Sequence, residues 1–124
     1  MKYKLVQRVN PQDRNQSKWY AQPINEGKIS RSTISADIVS LSSLSRGDVS
    51  NVIESLIDTL PRYLLMGKSV SLDGFGTLRI SFSSKGVDDS KDFNANLILG
   101  VKVIFTPSVD LKAALEKISF EKSE

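Results

Sequence analysis

Apolar residues recur with a helical period in the middle of this chain and alternate with polar residues on either side of it. The longest helical repeat occupies residues 49–64, where aliphatic side chains return every three or four positions: Val49, Val52, Ile53, Leu56, Ile57, Leu60 and Leu64. This period predicts an amphipathic helix. The apolar stripe is wider than a lone helix of a small domain needs, which indicates that a second chain covers part of it.

Residues typical of helix ends border this repeat. Ser45 and Asp48 have the spacing of a capping box, in which each side chain accepts a hydrogen bond from the backbone of the other residue. Gly67 stands where helices commonly end in a left-handed residue. Pro61 lies inside the repeat and removes one backbone donor, so a kink is expected in the last turns.

Shorter apolar repeats predict a helix on each side of the long one. Ile34, Ile38 and Leu41 share one face of a predicted helix over residues 33–42, with Ser32 as the candidate N-cap. Near the end of the chain, Pro107 precedes a predicted helix of roughly residues 109–118. Its apolar face consists of Leu111, Ala114, Leu115 and Ile118.

Patterns of apolar residues predict three strands between the long helix and the last one. The first two alternate, around Val70 and Leu72 and over residues 78–82, and the third is an apolar, β-branched run over residues 100–105. The first two are joined by Gly74-Phe75-Gly76, which we interpret as a structural turn with a buried Phe75 and not as a phosphate-binding loop. The predicted fold class is therefore α+β.

The first quarter of the chain predicts a β-hairpin that is added to this body. Two alternating stretches flank a polar, turn-forming segment over residues 10–17. A lone hairpin is marginally stable, so we expect it to dock on the body through Trp19 or Tyr20. We interpret Trp19 as a packing anchor and not as a base-stacking residue. The predicted division is a hairpin extension over residues 1–29 and a main domain over residues 30–124.

Charge and composition narrow the possible functions. The formal net charge is only +3, but residues 1–31 carry seven basic side chains against Asp13 and Glu26, a net of +5. A solvated surface and an electrostatic footprint for phosphate both remain open. The chain has no cysteine and no histidine, and no other spaced catalytic constellation stands out. We therefore expect no enzymatic activity, metal, cofactor or small-molecule substrate. We also expect no membrane segment and a cytoplasmic location.

From residue 30 onward, this order of elements resembles the histone-like bacterial DNA-binding family, HU and integration host factor. The helix end followed by Gly-Phe-Gly-Thr is the most specific part of the resemblance. The hairpin resembles the extension of HU-like proteins in the Bacteroides group of bacteria. The matching positions are Ser32, Ile34, Leu44, Ser45, Asp48, Gly67, Val70, Leu72, Gly74, Phe75, Gly76, Thr77, Phe105, Leu111 and Lys112.

The resemblance implies an HU-like intertwined homodimer. Two N-terminal helices of each chain form its base, and a three-stranded antiparallel sheet followed by a C-terminal helix forms a saddle on double-stranded DNA. Arg31, Arg46 and Lys112 match basic positions of the family, and the basic residues of the sheet alternate with core residues and are expected to face phosphate. The predicted DNA-binding residues are Arg31, Arg46, Arg79, Lys85, Lys102 and Lys112.

The segment where the family has a DNA-wrapping arm departs from the family pattern. The arm carries an Arg-Asn-Pro-x-Thr-Gly tip, whereas residues 83–98 contain no proline, no arginine and three aspartates. Each acid near phosphate opposes binding. We therefore expect this segment to fold back on the body through Phe93 and Leu97.

Two hypotheses about function follow. The first is an architectural, nucleoid-associated DNA-binding protein that contacts the phosphate backbone with low sequence specificity. The alternative is an HU-like dimeric protein-interaction or structural module with weak or no DNA binding.

Overall fold

The computed structural model describes residues 1–123, which form three helices and two three-stranded sheets. This arrangement confirms the predicted α+β class and the predicted order of a hairpin, two helices, three strands and a helix. None of the helices in this part of the chain has the length and apolar character that a bilayer span requires. The elements are β1 (Lys2–Asn10), β2 (Asp13–Pro23), α1 (Arg31–Leu41), α2 (Arg46–Leu65), β3 (Val70–Leu72), β4 (Gly76–Ser84), β5 (Ile98–Pro107), α3 (Val109–Leu115) and β6 (Glu121–Lys122).

Helix α2 begins and ends where the sequence predicts. The Ser45 hydroxyl accepts a hydrogen bond from the Asp48 backbone N–H at 3.2 Å, and the Asp48 carboxylate accepts one from the Ser45 N–H at 3.3 Å. The helix continues past Pro61 to Leu65, and Gly67 then takes a φ of 77°. The capping box and the glycine that follows the helix are therefore confirmed.

Helix α1 begins earlier than predicted. Its N-cap is Ser30, whose hydroxyl accepts a hydrogen bond from the Thr33 backbone N–H at 3.3 Å. The predicted cap, Ser32, lies inside the first turn, with its hydroxyl oxygen 2.9 Å from that of Ser30. Both serines have cap chemistry, so composition alone does not choose between them. As a result, Arg31 is the first residue of the helix.

Strands β3, β4 and β5 pair antiparallel in that order and are called the body sheet here. Alternation gives this sheet two unlike faces. Its polar face carries Ser71, Thr77, Arg79, Ser81, Lys102 and Thr106 together with one aliphatic residue, Ile104, and its apolar face carries Val70, Leu72, Leu78, Ile80, Val103 and Phe105. Helix α2 contacts β3 and β4, where the apolar side chains are half-buried.

The Gly-Phe-Gly turn joins β3 to β4 and brings β4 close to β5. Gly74 has a φ of 86°, a conformation that favours glycine. Gly76 is buried, and a Cβ atom there would lie 2.6 Å from the Thr106 carbonyl oxygen and also overlap the Phe105 ring. The structural interpretation of this turn therefore holds, because close backbone approach requires glycine at position 76.

Phe75 is less buried than the sequence suggested. Its ring packs against Phe105 with 5.1 Å between the ring centroids, but its side chain remains 52% exposed. The prediction of a buried Phe75 is therefore wrong for the single chain. The Phe105 ring covers part of its surface, and about half of the side chain stays in solvent.

Strands β2, β1 and β6 form a second sheet, called the terminal sheet here. Strands β1 and β2 pair antiparallel, but the predicted polar loop between them is wrong. Strand β2 begins at Asp13, and the connection between the strands is only Pro11-Gln12. A register shift next to Asn10, together with hydrogen bonds from the Gln12 and Asn15 backbone to the Asn10 and Asp13 side chains, lets polar residues continue the strand.

The hairpin is joined to the end of the chain and not docked through its aromatic residues. Strand β6 pairs parallel with β1, and the Met1 ammonium donates a hydrogen bond to the Ser119 carbonyl at 2.7 Å. Trp19 is 64% exposed, so its prediction as a packing anchor is wrong. Backbone pairing, which has no side-chain signature, replaces the expected aromatic contact.

The segment over residues 85–97 does not continue the β4–β5 ribbon. Pairing stops at Ser84 and Ile98, and two short 3₁₀ turns follow, Ser90–Asp92 and Ala95–Leu97. The segment is therefore not an extended arm. The segment was predicted to pack on the body through Phe93 and Leu97. Leu97 is half-buried, but Phe93 is exposed, so the prediction for Phe93 is wrong.

The described chain buries very little apolar surface. Val49, at 2% exposed, and Leu64, at 9%, are its only buried hydrophobic side chains over residues 1–123. Both belong to α2. Many large apolar side chains on α2 and on the body sheet are instead exposed, including Val52, Leu56, Ile57, Phe75, Val103 and Phe105.

Candidate nucleic-acid interface

All six predicted DNA-binding residues are exposed, and four of them lie in two pairs. Arg79 and Lys102 share the polar face of the body sheet, and Arg31 and Arg46, the first residues of α1 and α2, line one hollow between these helices. Lys85 and Lys112 stand apart from both pairs. Within residues 1–123, no group of three or more acidic, cysteine or histidine side chains is arranged to hold a metal ion.

The sheet pair is produced by strand register. Arg79 of β4 lies opposite Ile104, and Lys102 of β5 lies opposite Ser81. Arg79 and Lys102 are therefore diagonal neighbours on one face, a separation that long side chains can span. Thr77 and Thr106 add hydroxyl groups beside them. Such a surface offers charged and neutral donors to the oxygen atoms of a phosphate backbone.

The helix pair surrounds a shallow hollow of about 370 Å³. Arg31 and Arg46 are the first residues of α1 and α2, so the hollow lies at the starts of both helices. Hydroxyl groups make up much of the rest of its wall. The lining residues are Arg31, Ser32, Ser35, Ala36, Arg46 and Ser50. Two guanidinium groups and several hydroxyls fit an oxyanion better than an apolar ligand.

An acidic residue partly neutralises the helix pair. The Arg31 guanidinium lies 2.8 Å from the Glu54 carboxylate of α2, and both side chains are about half exposed. An ion pair this exposed contributes about 0–1 kcal/mol to stability. Its effect on an approaching phosphate matters more, because Glu54 offsets one of the two positive charges.

The other two predicted DNA-binding residues, Lys85 and Lys112, lie outside both pairs. Lys85 is the first residue after β4, and its backbone N–H donates to the Leu97 carbonyl at 2.9 Å. Lys112 lies in the exposed part of α3, a helix capped by the Ser108 hydroxyl. Neither forms an ion pair within the described residues. Both are free to contact phosphate, but no other predicted residue joins them.

The sequence interpretation missed the hydroxyls of the hollow and Glu54. A signal was present in helical spacing, because Arg46, Ser50 and Glu54 are four residues apart and share one face of α2. Arg31 and Ser35 have the same relation in α1. The contact between the two faces depends on how the helices pack, and spacing within one helix does not contain that information.

The folded chain is similar to histone-like proteins of known structure. HU from Anabaena, solved in a cocrystal with DNA, aligns at a TM-score of 0.57 and 13% identity, over 73% of this chain and 100% of that one. A mutant of HU from Thermotoga maritima aligns at 0.52 and 14% identity, over 70% of this chain and 99% of that one. These likenesses establish an HU-like fold. No curated protein matches the sequence significantly.

The hairpin and the body together have a counterpart in a larger protein. A protein from Bacteroides vulgatus, provisionally assigned as a bacterial DNA-binding protein, aligns at a TM-score of 0.64 and 19% identity over 98% of this chain. The chain spans 47% of the length of that protein. The family described as an HU domain fused to wHTH, Ig or a glycine-rich motif matches residues 1–122. The chain belongs to this HU-like family, which confirms the resemblance seen in the sequence.

Proposed function

We propose that this protein binds double-stranded DNA as a homodimer of the architectural, nucleoid-associated type. It contacts the phosphate backbone with low sequence specificity and acts in the cytoplasm, in the nucleoid, without enzymatic activity. The observation that carries the proposal is the polar face of the body sheet. There Arg79 and Lys102 are diagonal neighbours on paired strands, and neither forms an ion pair within residues 1–123.

The dimer is supported by the amount of surface that the single chain exposes. Its accessible surface is 10611 Å², whereas a folded monomer of 13.7 kDa exposes about 6,600 Å² by the usual scaling with mass. The excess is therefore about 4,000 Å² per chain. For two chains this excess is about 8,000 Å², which exceeds the roughly 2,000–5,000 Å² or more that obligate dimers bury in total at their apolar interfaces. The exposed side chains of α2 and of the body sheet supply an apolar surface of that kind.

Low sequence specificity is supported by the kind of side chains on the candidate surfaces. Arginine, lysine, serine and threonine predominate on the surfaces around both pairs of basic residues. These residue types commonly contact phosphate oxygens. Residues 85–97 contain three aspartates and form 3₁₀ turns, so no basic arm extends from the sheet. The proposed binding therefore depends on the sheet face and the helix starts and does not involve an apolar wedge between bases.

A titration of the whole chain into labelled duplex DNA tests the proposal. At about 50 mM salt, non-specific electrostatic binding is strong, so fluorescence anisotropy is expected to rise to saturation. The double variant Arg79→Ala/Lys102→Ala is expected to weaken binding to every sequence about equally and to flatten the salt slope by roughly two units.

The control variant is Lys91→Ala, which removes one exposed charge from the segment over residues 85–97. It is expected to bind DNA nearly as the unchanged chain does. If the unchanged chain fails to bind duplex DNA at about 50 mM salt, the architectural proposal is wrong.

The alternative, an HU-like dimeric interaction or structural module, also has an observation in its favour. The ion pair between Arg31 and Glu54 lowers the net charge at the helix starts, and the aspartates of residues 85–97 lower it near the sheet. Under this alternative, the dimer forms but DNA binding is weak even at low salt. The same titration, combined with sedimentation, separates the two functions.

A further inference from the structure

The terminal sheet has one basic face and one apolar face. Register places Arg8 of β1 opposite Lys18 of β2, and Val6 opposite Tyr20. Lys4, two residues from Val6, lies on the same side, opposite Gln22. The other side carries Tyr3, Leu5, Trp19 and Ala21. Positive charge is therefore gathered on one side of a two-stranded ribbon.

The basic face holds its most favourable phosphate ligand in a fixed orientation. The Arg8 guanidinium lies over the Tyr20 ring, 5.5 Å from the ring centroid. A cation over an aromatic face is stabilised by about 0.5–1 kcal/mol at an exposed site. The stacking also restricts the side chain, so less rotamer entropy is lost when the guanidinium forms hydrogen bonds.

Polar groups surround this arginine, and acids do not pair with it. A hollow of about 530 Å³ on this face is lined by Arg8, Val9, Asn10, Pro11, Gln16, Lys18 and Tyr20. In the described residues, the only ion pair of the hairpin joins Lys2 to Glu26 at 3.5 Å, near its base. Arg8 and Lys18 therefore keep their charge available toward the tip of the ribbon.

We infer that this face is a second DNA-binding surface, in which Arg8 and Lys18 hold backbone phosphates beside Tyr20. The inference rests on the proposed function, because it adds a contact to the same DNA-bound complex. A two-stranded ribbon has the width that the major groove of a duplex accepts. Guanidinium, ammonium and amide donors on one face match the oxygen atoms of a phosphodiester backbone.

The same face fits nucleic acid better than a membrane surface. The amides of Asn10 and Gln16 share the hollow with the two cations, and Val6 is the sole aliphatic side chain among the paired positions 4, 6 and 8. A lipid-binding face would carry apolar side chains that enter the acyl region next to its cations. Here Val9 and Pro11 are the aliphatic side chains that line the hollow, and the larger Leu5 and Trp19 lie on the opposite face.

The test compares two double variants that remove the same charge. Arg8→Gln/Lys18→Gln removes the proposed contacts, and Lys117→Gln/Lys122→Gln removes two exposed cations from the C-terminal end of the chain. Circular dichroism and sedimentation check that both variants keep the fold and the mass of the unchanged protein. Duplex affinity is then measured over a range of salt concentrations.

The hairpin variant is expected to bind duplex DNA roughly ten- to fifty-fold more weakly at about 100 mM salt, with a salt slope flatter by roughly two units. The C-terminal variant is expected to keep the slope of the unchanged chain. Arg8→Lys retains the charge but loses the planar fork, so its slope should stay unchanged while its affinity falls modestly.

The outcomes separate this inference from the proposed function. If the unchanged chain binds DNA and the hairpin variant keeps both affinity and slope, the second surface is refuted while the proposed function stands. If the unchanged chain binds no DNA, both are refuted. Loss of binding to phosphatidylserine-rich vesicles, with DNA binding intact, would assign the face to lipid and overturn the inference.

Discussion

The two sheets of this protein have the same design but different surroundings. Each has three strands, one basic face and one apolar face. In the body sheet, α2 contacts β3 and β4, and their apolar side chains are half-buried. In the terminal sheet, no helix of residues 1–123 makes a comparable contact, and Met1 and Phe120 line a hollow beside its apolar face. Strand alternation thus determines which side chains share a face, but distant parts of the chain or a partner determine what covers it.

The comparison predicts that the body is sensitive to changes on its apolar face and that the terminal sheet is tolerant of them. The body contains both buried hydrophobic side chains of residues 1–123, Val49 and Leu64, and most of the surface proposed to be dimer interface. In the terminal sheet, backbone hydrogen bonds join strand β1 of the hairpin to strand β6. Substitutions with large, intermediate and small expected effects therefore test whether the body and the terminal sheet differ in this way.

The largest effect is expected from Leu56→Asp in α2. Leu56 is 43% exposed in the single chain and lies in the proposed interface, so an aspartate there buries an unpaired charge in the dimer. Sedimentation and circular dichroism should show loss of the folded dimer at micromolar concentration. Asn51→Asp is the matched control, because it adds the same charge at an exposed position of the same helix and should keep the dimer.

A smaller but clear loss of stability is expected from Gly76→Ala in the body sheet. The added Cβ would lie 2.6 Å from the Thr106 carbonyl oxygen, so β4 and β5 must move apart. Overpacking of this kind costs about 1–3 kcal/mol in the free energy of unfolding, measurable by urea denaturation. Gly47→Ala is the control, because its nearest neighbour is 3.9 Å away and alanine favours the helix. An equal loss in both variants would contradict this reason.

A gain of DNA affinity is expected from Glu54→Gln. The substitution removes the carboxylate 2.8 Å from Arg31 and leaves two uncompensated guanidinium groups around the hollow at the helix starts. Duplex affinity should rise several-fold at low salt, and the gain should shrink as salt screens the charges. Asp58→Asn, which alters an exposed acid one turn further along α2, should change affinity less. A loss of affinity in Glu54→Gln would remove the helix starts from the interface.

The smallest effect is expected from Trp19→Ser in the terminal sheet. Trp19 is 64% exposed, so its removal should change the free energy of unfolding by less than about 0.5 kcal/mol. Thermal unfolding followed by circular dichroism measures the change. A loss comparable to that of Gly76→Ala would mean that the apolar face of the terminal sheet is covered in the assembled protein.

Local patterns predicted most of the fold because the physical signals were themselves local. Helix α2 has a periodic stripe, a capping box and a terminal glycine that all agree, and the structure places its ends accordingly. Strands β3 and β4 alternate clearly enough to assign their faces, whereas β5 carries the apolar run Val103-Ile104-Phe105 and is placed by its register with β4. At the start of α1, Ser30 and Ser32 were both suitable N-caps, and the structure shows that Ser30 is the N-cap. The division between residues 29 and 30 stays a prediction.

What the sequence did not predict depends on contacts between distant residues. Strand β6 has two residues and pairs with the opposite end of the chain. A segment this short has no alternating pattern that could predict a strand. The exposure of Phe75 and Trp19 likewise depends on which surfaces meet them. In the candidate interface, register made the pair of Arg79 and Lys102 predictable, whereas the approach of Glu54 to Arg31 depends on how α1 packs against α2.

The central claim, that the dimer binds the DNA backbone through its basic faces, is tested most directly by the salt dependence of binding. The affinity of the unchanged chain should be measured for two duplexes of equal length and unrelated sequence, between about 50 and 200 mM salt. We predict two parallel lines of log affinity against log salt, with equal affinities and a slope of about −0.9 for each phosphate contact. A slope near zero, or strong binding to one duplex alone, would contradict the account.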